Sequence, residues 1–342
     1  MDESARLVEL VNAYSPSGHE ADAVRVFTRI AESLGFRTEV DGIGNGIARI
    51  GSGRPQVLVL GHIDTVDGEL PVRVEDGVVY GRGACDAKGP LLAALLAASR
   101  HEGAGEIVIV AAVGEEKDSR GARHMIPRHS PDFLIVAEPS GSEKVTVAYK
   151  GNLEVAIAFE GERAHLSAPA PTTVETALGA IPEIRGFCAS RAGPTPFSSL
   201  TAKVHAIHTV RIGSREVVEV RVNFRVPTSV RTEELLKFLD DGGLSYRVTD
   251  RSEAVEVDSH NPVARALVAG IREAGGRPTF VRKSGSSDLN LAVPVWGCPA
   301  AAYGPGDAHL DHTDQEAISL DELRRSVEIL SHAIQRVLRS PA

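Results

Sequence analysis

The residues best able to do chemistry stand just past the ends of short apolar runs. The first run ends in Gly61-His62-Ile63-Asp64 and the second in Gly114-Glu115-Glu116. A third ends in Ala137-Glu138-Pro139, and the last leads through Tyr303-Gly304-Pro305-Gly306 to Asp311-His312. Between the first two lies Gly81-Arg82-Gly83-Ala84-Cys85-Asp86-Ala87-Lys88-Gly89, a glycine-rich loop opening a helix. If these five segments converge, two imidazoles and up to six carboxylates share one site. Each buried, unpaired carboxylate costs several kcal/mol, so the cluster requires a counter-charge. A divalent metal is the simplest one, and mixed histidine and carboxylate ligands suit zinc, with cobalt or manganese as substitutes. Five ligands with one bridging carboxylate would hold two ions ~3.5–4 Å apart. In His62-x-Asp64 both side chains fall on one face of an extended segment, so Asp64 can orient the imidazole. Glu115 and Glu116 point apart on a turn, leaving one to bind metal and the other to face water as a base.

Each signal is weak by itself. An H-x-D is common, Glu115-Glu116 could open a solvated helix, Glu138 before Pro139 could simply end a strand, and His312 could neighbour an N-cap. Their joint placement at strand ends is what singles them out, because open α/β sheets bind ligands there.

The elements that must position them alternate, as in an α/β protein. Strands are expected at Val57–Leu60, Ile107–Val113, Phe133–Ala137 and Ala300–Tyr303, with a packed helix over Gly89–His101. Ser17 and Glu20 read as the capping box of an early helix closed by Gly35, and Ser319 with Glu322 as the start of a final helix to about Leu338. Gly42-x-Gly44-x-Gly46 reads as a hairpin turn, because no helix-forming stretch follows it. From about Lys150 to Arg251 the order is strand, helix, strand, strand, helix, strand, with a hairpin turning at Gly213-Ser214. That order fits a ferredoxin-like insertion.

Composition removes several function classes. The 342 residues are enough for two domains, and 42% hydrophobic with 24% charged residues is ordinary globular composition. A net charge of -9 argues against binding nucleic acid through its phosphates. The segment 150–251 is near neutral, with 13 basic and 12 acidic residues, so the acidity lies in the flanking halves. The longest purely apolar run, Leu91 to Ala98, is far short of the ~20 residues needed to cross a membrane. Cys85, Cys188 and Cys298 are odd in number and widely spaced, which speaks against a disulfide framework. Cys85 reads as a packed residue and the whole as a soluble, reduced, cytoplasmic protein.

The segments GHIDTV (61–66), GRGACDAKGP (81–90), VGEEKDSRGA (113–122) and AEPS (137–140) match a known family. So do YKGNLEV (149–155), GERAHLSAP (161–169), SGSSDLN (284–290) and GPGDAHLDHT (304–313). In this order they resemble the ArgE/DapE/carboxypeptidase-type di-zinc aminoacylases and peptidases over essentially the whole chain. The resemblance implies a zinc-peptidase-like mixed sheet flanked by helices as the catalytic domain, over 1–149 plus 252–342. The ferredoxin-like α+β segment 150–251 would be an inserted lid through which a homodimer forms. By the same resemblance Asp86 bridges two zinc ions, His62 and Glu138 completing one site and Glu116 and His312 the other. Glu115 would be the general base and acid, Asp64 the His62 orienter, and the peptide after Asp86 cis. His165 would reach into the partner subunit's site to steady an oxyanion. Arg225, Gly285 and Ser286 would bind substrate, although strand alternation also suits Arg225 as an outward residue.

Within the family the likeness is greatest to hydrolases releasing lysine or ornithine from the C-terminal glutamate γ-carboxyl of an acidic, LysW-type carrier protein, the last step of lysine or arginine biosynthesis. YKGNLE, SGSSDLN and YGPGD-x-x-LDHT carry that likeness. A basic approach surface is then expected, from Arg282, Lys283 and lid arginines. Three departures bear on the substrate: Ala87 after the bridging aspartate, Leu166 after His165, and Asn223-x-Arg225 where Asp-x-Arg is frequent. The nearest rivals use the same chemistry on N-acetylornithine, N-acetyl-lysine or succinyl-diaminopimelate, or on a dipeptide or carboxypeptidase substrate. A two-metal phosphoesterase would want more cations, and a binding module without turnover would lose its base or a ligand first.

Overall fold

The computed structural model describes residues 2–162, 165, 167 and 169–339. The chain divides into two compact units. The first runs to Val147 and resumes at Val257–Val281 and from Ser287; the second is Ala148–Glu256 with Arg282–Ser286.

The first unit is built on a mixed sheet. Its strands lie in the order Arg37–Val40, Gly46–Ser52, Gly105–Ala112, Gln56–His62, Phe133–Val136, Ala300–Ala302 and Lys144–Tyr149. Gly105–Ala112, Gln56–His62, Phe133–Val136 and Ala300–Ala302 are mutually parallel neighbours, so their carboxyl ends share one edge. They are continuous apolar runs because both faces are covered. The helix Lys88–Ala98 is apolar all round after Lys88 and buried at every residue, as a helix against sheet and helices at once must be. Each of its buried leucines contributes about 1.5–3 kcal/mol. Gly61 admits this helix closely: a Cβ there would lie 2.9 Å from Leu91 Cδ2 and from Ala137 Cβ. The final helix, Leu320–Leu338, has Ser319 as N-cap, its hydroxyl accepting from the Glu322 N–H. The Glu322 carboxylate turns away from that cap to accept from the Ser142 N–H at 2.9 Å.

The early helix begins later than the Ser17 signal suggests. It spans Ala21–Ser33 with Glu20 at the N-cap and no side-chain capping bond. Ser17 instead donates its hydroxyl to Asp64 Oδ2 at 2.6 Å, and Glu20 accepts from the Gly18 N–H at 2.9 Å within the loop before the helix. The Gly42–Gly46 segment is the expected turn, joining Arg37–Val40 to its antiparallel neighbour.

The second unit has the strand and helix order expected from its sequence. Its antiparallel sheet runs Thr201–Ile212, Arg215–Val226, Gly151–Glu162, Ser245–Ser252. The helices Thr173–Ala189 and Thr232–Asp241 bury Ile184, Cys188, Leu235 and Leu239 in the same core as Val218, Val220 and Phe224. Residues 282–286, assigned from sequence to the flanking region, belong to this unit. The Lys150 N–H donates to Lys283 O at 3.2 Å, Arg282 pairs with Glu256 at 2.7 Å, and Arg225 Nη1 donates to Ser286 Oγ at 3.0 Å. Sequence distance hid these tertiary bonds. Among the described residues no helix is long and apolar enough to cross a membrane.

Candidate metal centre

The shared edge of the four parallel strands gathers the expected ligands. His62 is the last residue of its strand, Glu115 and Glu116 follow Gly105–Ala112, Glu138 follows Phe133–Val136, and His312 lies in the loop after Ala300–Ala302. Asp86 enters from the loop before the buried helix. Its peptide bond to Ala87 is cis, as the resemblance implies.

Asp86 is the centre of the arrangement. Its Oδ1 is 3.0 Å from His62 Nε2 and its Oδ2 is 3.2 Å from His312 Nε2. The His312 Nε2 is also 2.9 Å from Glu116 Oε1. One donor atom each from His62, Asp86 and Glu138 fall within 4.8 Å of one another, and so do those of Asp86, Glu116 and His312. A third such group is His62, Glu115 and Glu116. Asp311 stands apart from these groups, with its Oδ1 3.4 Å from the buried Cys85 thiol. The donors fit a metal on their own chemistry: mixed imidazole and carboxylate atoms at close range, with one carboxylate facing both histidines.

Asp64 does more than orient an imidazole. The His62 Nδ1 is 3.0 Å from the Asp64 backbone oxygen and 3.6 Å from its carboxylate. That carboxylate accepts from the N–H of Glu115 at 3.0 Å and of Glu116 at 3.1 Å, besides Ser17. It therefore pins the turn that aims both glutamates. Gly114, at φ 76°, opens that turn; a Cβ there would collide with Arg120.

The electrostatics follow from crowding. Burial disfavours the His62 imidazolium, but hydrogen bonds to Asp64 and Asp86 override it and hold its pKa well above the usual value. Hydrogen bonds to Asp86 and Glu116 raise His312 to about 10. Burial works against the Asp86 carboxylate, yet the two imidazoles hold it far below the carboxylate range. Burial pushes Glu115 well above that range; His62 opposes the shift, while Glu138, Asp288 and Glu116 add to it. His312 is the open side of the cluster, with half of its side chain exposed, and its backbone is left-handed at φ 62°.

The other expected residues lie on the second unit. Arg225 and Ser286 are hydrogen-bonded to each other and half-buried, and Gly285 is exposed. His165 is exposed with its Nδ1 2.7 Å from Ser167 Oγ. Its motif neighbours Arg163, Ala164, Leu166 and Ala168 lie outside the described residues. Arg282, expected on a basic approach surface, is engaged by Glu256.

Sequence reasoning missed two buried residues. Asn45 donates to Gly121 O and accepts from the Val113 N–H at 3.0 Å, holding both ends of the Glu115–Glu116 loop. Asp288 is 2% exposed and takes a hydrogen bond from Ser119. Burial raises it to about 7, against the opposing charge of His62 and with that of Asp64. The signal for Asp288 was its place inside SGSSDLN; Asn45 carried none beyond the turn glycines around it.

The chain is similar to known proteins in sequence and in fold. The family model described as Peptidase family M20/M25/M40 matches residues 58–336. A Pyrococcus horikoshii protein named putative [LysW]-lysine/[LysW]-ornithine hydrolase is 39% identical, over 97% of this chain and 96% of its own. The [LysW]-lysine hydrolase of Deinococcus radiodurans is 34% identical over 96% and 95%. In fold, the chain resembles the di-peptidase Dug1p of Saccharomyces cerevisiae with a TM-score of 0.84 and 13% identity, covering 99% and 96% of the two chains.

Proposed function

Because the chain belongs to peptidase family M20/M25/M40, we propose that it hydrolyses the amide joining lysine or ornithine to the C-terminal glutamate γ-carboxyl of a LysW-type carrier protein. The chemistry rests on one observation, the Asp86 carboxylate with one oxygen toward each imidazole. The substrate rests on the names of the full-length relatives.

In this reading His62, Asp86 and Glu138 hold one zinc ion and Asp86, Glu116 and His312 the other, with cobalt or manganese as substitutes. When bound, such ions lower the pKa of a water molecule and polarise an amide carbonyl. The rest falls to the protein. Glu115, beside the ligand Glu116, takes a proton from the attacking water and returns it to the departing α-amine. Asp64 keeps that glutamate aimed by holding its backbone N–H. The segment 150–251 acts as lid and dimerisation domain, and His165 of the partner subunit donates to the developing oxyanion. Arg225, with Gly285 and Ser286, receives the carboxylate of the amino acid.

The test compares LysW-γ-lysine and LysW-γ-ornithine with N-acetyl-lysine and N-acetylornithine on zinc-loaded protein. A kcat/KM advantage of about 100-fold or more for the carrier conjugates, worth ~2.7 kcal/mol, is expected. Equal or better turnover of the acetyl amino acids would move the protein to the small-molecule deacylases.

A further inference from the structure

The loop that ends in Asp86 is held from outside by a residue with no ligand role. Glu316 stands just before the strand Ala317–Ser319 and is 2% exposed. Its Oε1 accepts the backbone N–H groups of Cys85 and Asp86, both at 3.1 Å. Its Oε2 accepts from Arg82 Nη1 at 2.9 Å. Arg82, itself 5% exposed, donates further to the backbone oxygens of Thr313 at 3.0 Å and Gly68 at 2.9 Å. Thr313 adjoins His312, and Glu316 follows it by four positions. A single ion pair therefore fastens the loop bearing Asp86 to the loop bearing His312.

We propose that Arg82 and Glu316 are a positioning pair that sets Asp86 against His312 and so decides whether the second ion is held as tightly as the first. This rests on the two-metal reading above. A bridging carboxylate has little tolerance, because metal–ligand distances must be met within about 0.2 Å on both sides. Pinning the Asp86 N–H fixes the direction in which its side chain leaves the backbone. Pinning Thr313 O fixes the neighbouring residue, His312. The side-chain bonds of the pair go to loop backbone at 68, 85, 86 and 313, three of those positions at or beside a ligand. A strut serving the fold alone would join core elements instead. The His62–Asp86–Glu138 group shares only Asp86 with the clamp, so the Asp86–Glu116–His312 group depends on it more.

Glu316→Gln keeps an oxygen for the two N–H groups but turns an N–H toward Arg82. Arg82→Lys keeps the charge but cannot serve Glu316, Thr313 and Gly68 together. Metal-free protein is titrated with Co2+ and followed by calorimetry and by the visible absorption of the bound ion, with the melting temperature as control. Wild type is expected to take two equivalents. In E316Q the first is expected to bind nearly as in wild type and the second 10–100-fold more weakly, with a changed cobalt spectrum, and R82K is expected to lie between them. On a turned-over substrate kcat falls by a similar factor while KM stays within about two-fold. Wild-type affinity and spectrum for both equivalents in both variants, with only the melting temperature lowered, would make the pair a fold strut and overturn the proposal. If E316Q does not fold, R82K decides alone by the same criteria. Uptake of fewer than two equivalents by wild type would instead bring down the two-metal reading, and the clamp with it.

Discussion

Glu115 carries two conflicting demands, to stay within reach of water and to sit among carboxylates. Partial burial with Glu138, Asp288 and Glu116 around it raises its pKa, and His62 limits the rise. In the metal-free protein this crowding favours the protonated carboxyl. Glu116 beside it faces His312 and serves as a ligand. We expect Glu115→Gln to retain both metals and the fold while kcat falls about 10²–10⁴-fold, measured as turnover together with metal content. Turnover near the wild-type rate would remove Glu115 from the base role. At this scale the sequence was informative wherever residue type implied chemistry. It gave Asp64 one task, orienting His62, and not the second, holding the backbone of both glutamates.

At the scale of elements, the four central strands could be read from their apolar runs, because a parallel strand buried on both faces leaves a continuous signature. The loops between them could not. The hairpin turn at Asp41 places Asn45, wholly buried, against the loop that follows Gly105–Ala112. Asn45→Ala would leave the Val113 N–H and Gly121 O without this partner, at about 1–3 kcal/mol each. Urea unfolding should therefore show a loss of at least ~2 kcal/mol with the m-value unchanged. A loss below ~0.5 kcal/mol would mean that the loop holds itself. The Ser17 signal failed for a related reason: the helix starts at Ala21, and Ser17 is tied instead to Asp64, 47 positions away.

Considered as a whole molecule, the first unit encloses a charge cluster whose balance depends on what fills it. Without metal, protons must supply the positive charge. The folded protein binds them more tightly at His312, raised to about 10, than the unfolded chain does at ~6.5. A raised folded pKa gives stability that is full below about 6.5 and lost as pH rises through 10. The raised Glu115 acts in the same direction, since it too holds its proton longer when folded. The melting temperature of metal-free protein should therefore fall from pH 6.5 to pH 10, less steeply above pH 7, where Lys88, lowered to about 7 by burial, works the other way. Metal-loaded protein should fall much less, because bound ions replace those protons. A metal-free melting temperature that rises over this range would contradict the charge balance described.

The sequence by itself pointed to the α/β class and to eight candidate side chains about the carboxyl ends of its strands, of which the structure gathers seven and leaves Asp311 apart. Each is a weak signal alone, and only their joint placement, after apolar runs and in one glycine-rich loop, is written locally. Only the tertiary structure decided how they are held: Asp64 under the glutamate turn, Asn45 beside it, Arg82 and Glu316 across the two ligand loops, and residues 282–286 within the second unit. Those partners lie tens to hundreds of positions apart. Asp64, Asn45, Arg82 and Glu316 act largely on backbone N–H and C=O groups, which almost every residue carries and which leave no mark in a sequence.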